Sequence, residues 1–158
     1  MTDAATGITW ESTYQSGAAR LEVTVLGGGF SPGDMLTFEK DGEKAFSGRV
    51  FTIREERSGQ TQIVAYDQLR YLKAQDYIFR RGMPLEALLT QGCAALGLRL
   101  GECASTGFTL PDKTYEKKAW LDALYESIRD VGFYTGVDYC LWDDFGAIRL
   151  TPIVDLRQ

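Results

Sequence analysis

The hydrophobic period of the chain changes once along its length, and that change constrains the fold more than any single residue. Between residues 18 and 70, apolar side chains recur at every second position. "ARLEVTVLGG" sets Leu21, Val23 and Val25 on one side and Glu22 and Thr24 on the other, the pattern of a half-buried strand. "MLTFEKDGEKAFSGRVFTIREE" reads as a hairpin, with Leu36 and Phe38 inward and Asp41-Gly42 as its turn. "GGGFSPGD" and Ser58-Gly59 interrupt the strands, "QTQIVAY" returns, and "GITWESTY" can add one more. Four or five short strands joined by tight turns predict a small barrel or sandwich that closes its own edges.

After Phe79 the period lengthens. Leu85, Leu88, Leu89, Gly92, Cys93 and Leu96 share one face of an α-helix, with Pro84 at its first position and Gly97 just past its end. "LRLGECASTGFTLPDKTY" is irregular and holds one short strand. A second helix is expected from about Glu116 to Val131, burying Trp120 or Leu121 together with Leu124, Tyr125 and Ile128, and ending at Gly132. "VDYCLWDDFGAIRL" reads as a final hairpin turning at Asp143-Asp144-Phe145-Gly146. The expected fold class is α+β. A small antiparallel β-barrel occupies residues 1–78, and an α+β unit with two helices and a C-terminal hairpin occupies residues 79–158.

The join between the two periods is "IVAYDQLRYLKAQDYIF". The last barrel strand ends at Tyr66, and Asp67 caps a short helical turn by accepting backbone N–H bonds. Leu69 and Leu72 are expected to pin that turn over the open end of the barrel.

Composition excludes several function classes. Hydrophobic residues make up 44% of the 158, enough for a real core. The net charge of −5 disfavours free nucleic acid as a partner, and Arg80-Arg81 is too small a basic cluster to offset it. No apolar run is long enough to cross a bilayer, and "MTDAATGITW" has no basic leader region. The chain contains no histidine, which removes Ser-His-Asp and Cys-His catalysis within it. The three cysteines, Cys93, Cys103 and Cys140, are odd in number and never spaced as CxxC, so neither a disulfide framework nor a zinc site is expected.

No motif carries chemistry. "LGGGFSPGD" lacks the spacing of a phosphate loop and leads into a strand, so it reads as a flexible turn. "WDDFG" has the letters of a kinase metal loop without its companion motifs, leaving Asp143 and Asp144 as turn residues. Glu39, Asp41, Glu43, Glu55, Glu56, Asp122 and Glu126 are carboxylates that nothing in the sequence pairs across a cleft. Asp122 and Glu126 fall on the solvent face of the second helix, where Arg129 can partner Glu126. Cys93 and Cys140 read as small buried hydrophobes, and Cys103, in an irregular stretch, as the thiol most open to reaction, though nothing nearby would lower its pKa. Tyr66, Tyr71 and Tyr77 read as packing between the two units, with part of the set available to another protein chain. No catalytic, cofactor-binding or metal-binding residue is expected, and no cofactor.

One resemblance goes further. Pro32-Gly33-Asp34 before a strand, the step Phe46-Gly48-Val50, and "AYDQLRYL" from Ala65 to Leu72 resemble the N-terminal part of XkdQ/YqbQ-type tail hub proteins of contractile phage tails and defective prophages. Leu96-Gly97-Leu98 and Trp120-Leu121 extend the likeness, which covers most of residues 20 to 152. The resemblance implies a structural role without enzymatic activity. Such hubs trimerise at the distal end of the tail tube, where a ring of barrels matches a hexameric tube to a trimeric spike. Family members are usually roughly twice this length or more, so the resemblance implies either an N-terminal piece of a longer protein or a short relative. The implied partners are copies of itself, tail-tube proteins and spike or baseplate proteins. Assembly is expected in the bacterial cytoplasm, ending in a virion tail or phage-like particle. The rival readings are a carboxylate-only enzyme acting on cell wall and a peptide- or glycan-binding module.

Overall fold

The computed structural model describes residues 5–11 and 17–156. The first five strands are β1 (Ala5–Glu11), β2 (Arg20–Leu26), β3 (Met35–Lys40), β4 (Glu43–Glu55) and β5 (Gln60–Tyr66). They form one antiparallel sheet in the order β1-β2-β5-β4-β3. The alternation of β2 is realised as expected, with Leu21, Val23 and Val25 buried. Asp41 and Gly42 both take positive φ, 53° and 81°, as the tight turn between β3 and β4 requires.

The sheet is a half-barrel, and this corrects the expectation of a closed one. Among the described residues no ladder joins β1 to β3. Four successive antiparallel pairings leave β1 and β3 running the same way, so closure would take a parallel pairing between them, and none forms among the described residues. The sheet still curls. Pairing shifts between Phe38 and Glu39 and between Val50 and Thr52 mark β-bulges, which bend a strand and increase its twist. Curling brings Val23, Val25, Val50 and Ile63 together with Phe30 and Leu36, and brings Leu21, Phe46 and Ala65 together with Phe38.

Gly48 shows why the Phe46-Gly48-Val50 step has a glycine at its centre. A Cβ there would run into the Tyr66 carbonyl and the Phe46 ring. Only a bare Cα lets β4 pass the end of β5.

A 3-10 turn (Gln68–Lys73) then leads to β6 (Gln75–Arg80), α1 (Leu85–Leu96), β7 (Leu100–Cys103), β8 (Lys113–Ala119), α2 (Trp120–Thr135), β9 (Tyr139–Asp143) and β10 (Ile148–Pro152). Asp67 caps the 3-10 turn as expected. Leu69 and Leu72 do not cover the barrel end, however. They are buried in the core of the α+β unit with Leu88, Trp120 and Leu124. Pro84 sits one residue before α1 with ψ of 163°, at the N-cap, and Gly97 ends the helix in the left-handed region.

The second helix starts and ends later than its sequence implies. Residues Lys113–Ala119 form β8, which pairs antiparallel with β6. α2 begins at Trp120, runs through Gly132 and stops at Gly136, whose φ is 74°. The closing hairpin is as expected. Its turn residues are Phe145 and Gly146, both at positive φ, and β10 also pairs in parallel with β7.

Candidate functional site

Most of the carboxylates weighed in the sequence lie apart on the surface. Glu39, Asp41, Glu43, Glu55, Glu56 and Asp122 are exposed. Glu126 does not use Arg129. It bonds to Lys113 and, at 2.8 Å, to Lys118, both on β8. Burial pushes its carboxyl up, but the two ammonium groups outweigh burial and hold it at about 2.

The cysteines are unreactive by environment. Cys93 and Cys140 are buried, and burial pushes each thiol up to about 11. Cys103 is half-buried, and burial raises it too. Arg80 is a structural residue, buried in contact with Ser127 and Asp130 at 3.0 Å and the Pro111 carbonyl at 2.9 Å. Arg81 is exposed.

The structure does bring together one pair of carboxylates, Asp67 and Asp143, that no spacing in the chain connects. Asp67 is 3% exposed. Its two oxygens accept from the Ala19 N–H at 2.9 Å and the Leu69 N–H at 3.0 Å, so it ties the start of β2 to the 3-10 turn. Asp143, at the end of β9, accepts from the Gly146 N–H at 2.6 Å and from the Gln68 N–H at 3.3 Å. Gln68 completes the join: its Nε2 donates to the Gly146 carbonyl, and its Oε1 accepts from the Arg99 N–H at 2.9 Å. Lys44 of β4 lies over the Phe145 ring at 5.1 Å. The half-barrel and the closing hairpin therefore meet at Asp67, Gln68 and Asp143.

Between them is a cavity of about 30 Å³, lined by Asp67, Asp143, Trp10, Phe46, Ser47 and Trp142 among others. Burial pushes Asp67 up to about 7 despite the Ala19 N–H, and the charge of Asp143 adds to the rise. Burial raises Asp143 as well, against its hydrogen bonds to Gly146 and Gln68. The cavity has room for about one water. A sugar ring needs a cleft with two carboxyls on opposite sides of the scissile bond, and this site has no such space. A wider groove of about 640 Å³ lies along α2, lined by Asp122, Tyr125, Arg129, Asp138 and Ile153 among others. Its two acids, Asp122 and Asp138, are both exposed.

What the surface presents instead is open backbone and apolar side chains. Among the described residues, β1 and β3 each have one unpaired edge within the sheet. Ile8 and Trp10 stand opposite Val23 and Leu21 and share their inward face, yet both are 44% exposed. The inward face is therefore uncovered along β1. A second apolar patch surrounds the C-terminal end of α2. There Phe133 is 84% exposed, and Tyr134 stacks on Phe108 with ring centroids 5.1 Å apart. Of the three tyrosines weighed earlier, Tyr71 and Tyr77 are exposed and Tyr66 packs edge-on against Phe51. None is in the core between the units. The signal that could have found Trp10 was its place on a strand of alternating character, but only pairing shows which face lacks cover.

This architecture, a curled antiparallel sheet joined to a helix-bearing unit, is one the chain shares with a solved structure. The crystal structure of the 43 kDa tail protein of prophage MuSo2 from Shewanella oneidensis shares it, with a TM-score of 0.72 at 15% sequence identity. The match covers 91% of this chain and 48% of that one, so the chain spans about half the length of the solved tail protein. The chain belongs to the YQBQ-like family, whose model matches residues 8–158. No curated protein matches the chain by sequence.

Proposed function

We propose that the chain is a hub or baseplate component of a contractile phage or prophage tail, linking the tail tube to the central spike. The single observation that carries this reading is the half-barrel with two free edges and an uncovered apolar flank at Ile8 and Trp10. A sheet edge left open is a template for pairing, and proteins that stay alone blunt it. Here the β1 segment "ATGITWE" has no lysine or proline to do so. Copies of the chain and neighbouring tail proteins supply the missing cover, and binding proceeds by shape and backbone pairing with no chemistry performed. Assembly takes place in the bacterial cytoplasm, and the product resides in the virion tail.

The test is native mass spectrometry of the chain alone and mixed with its tube and spike proteins. The reading expects trimers, or a complex with the tube protein, that Trp10→Lys abolishes while circular dichroism stays unchanged. A chain that remains a monomer in every mixture contradicts it. The enzyme reading is weakened by the size of the Asp67–Asp143 cavity, and clearing of purified peptidoglycan by the chain would revive it.

A further inference from the structure

Asp67 and Asp143 both line the junction cavity, and among the described residues neither forms an ion pair with a cation. Among the described residues, the charge that acts on Asp67 is that of Asp143, and the one that acts on Asp143 is that of Asp144. The nearby cations are engaged elsewhere. Arg20 pairs with Glu22 at 2.9 Å, Arg149 pairs with Asp144 and Glu102, and Arg70 lies over the rings of Phe51 and Tyr66. From α2, the Tyr125 hydroxyl is buried beside Asp67 and Cys140. From β4, Ser47 is buried and lines the cavity.

We propose that Asp67 and Asp143 form a proton-controlled clasp between the half-barrel and the α+β unit, closed while the pair retains a proton and loosened when both carboxylates are charged. Two like charges beside one water-sized cavity repel with little solvent to screen them. One proton removes that repulsion; it weakens one of the two N–H bonds that Asp67 accepts from Ala19 and Leu69, and that loss is smaller than the burial cost the proton relieves.

The direction follows from linkage. In the closed junction burial holds Asp67 near 7. In a loosened junction it meets water and returns to the ordinary carboxylate range of about 4. Loosening therefore releases a proton between those two values. The opening equilibrium rises roughly tenfold per pH unit across that window and levels off above it. Stability of the junction is complete below about 4 and is lost as pH rises through about 7.

The experiment is amide hydrogen exchange by NMR on the whole chain at several pH values from about 5 to 8, corrected for the intrinsic pH dependence of exchange. The Ala19 and Leu69 amides should show opening constants that climb roughly tenfold per unit up to about pH 7, while Leu89 in α1 does not change. Asp143→Asn should move the climb to lower pH, and Asp67→Asn should remove it. Flat opening constants at Ala19 and Leu69 in the wild type overturn the proposal. So does a climb that Asp143→Asn leaves in place, and that variant decides the matter even where Asp67→Asn fails to fold.

Discussion

The half-barrel and the α+β unit bury their apolar side chains differently. In the α+β unit a single continuous cluster runs from Leu69 and Leu72 through α1 and α2 to Ile148 and Leu150. Helices and sheets there cover one another. In the half-barrel the interior divides into two small clusters, around Ile63 and around Phe46. Its cover is its own curvature plus Phe30 from the glycine-rich loop, and the cover runs out at Ile8 and Trp10. One unit covers its own apolar faces, and the other leaves part of its inward face exposed. Curvature alone does not finish this barrel, because among the described residues β1 and β3 do not form the parallel pair that would close it.

The comparison can be broken by substitution. Trp120 is fully buried, and its Nε1 donates to Asp76 at 3.3 Å. Trp120→Ala should cost about 3–5 kcal/mol in urea denaturation. Ile63→Ala, equally buried but in a thinner core, should fall at or below the low end of about 2–5 kcal/mol, because a thin core collapses more easily onto the gap. Equal losses at the two sites would mean that the half-barrel is as complete as its neighbour. Gly48→Ala should cost about 1–3 kcal/mol by forcing β4 away from the Tyr66 carbonyl. A neutral result would place the bend elsewhere.

The smallest expected effect sharpens the same contrast from the surface. Glu126 joins Lys113 and Lys118 across the outside of the α+β unit. Glu126→Gln should cost about 1 kcal/mol or less near neutral pH. Because the folded carboxyl is held at about 2, below its ordinary value, the contribution is present above the ordinary carboxylate range. It is lost as pH falls toward 2. The wild-type and variant stability curves should therefore converge in acid, and a gap that widens there would contradict the assignment.

Local pattern made much of this molecule legible. Alternation in "ARLEVTVLGG", the Asp41-Gly42 turn, the leucine face of α1 and the Asp67 cap are local features, and the structure keeps them. Whether the barrel closes was not legible, because alternation fixes which face is buried and says nothing of where the edges end. Residues Glu116–Ala119, expected as the start of the second helix, misled for a related reason. "KTYEKKA" favours helix by composition, yet pairing with β6 makes it a strand that buries Tyr115 alone. Leu69 and Leu72 were legible as buried but not as belonging to the helical core. The Asp67–Asp143 pair joins a capping residue to a hairpin end from distant parts of the chain, and no spacing rule connects them.

The central claim is that the edges of the half-barrel are completed by other chains. Amide hydrogen exchange of β1 and β3, followed by mass spectrometry in the free chain and in assembled tails, tests it most directly. Fast exchange at Ile8–Trp10 and Met35–Phe38 in the free chain, with strong protection after assembly and no change in α1, is the expected result. Exchange along both edges that is the same before and after assembly would contradict the account.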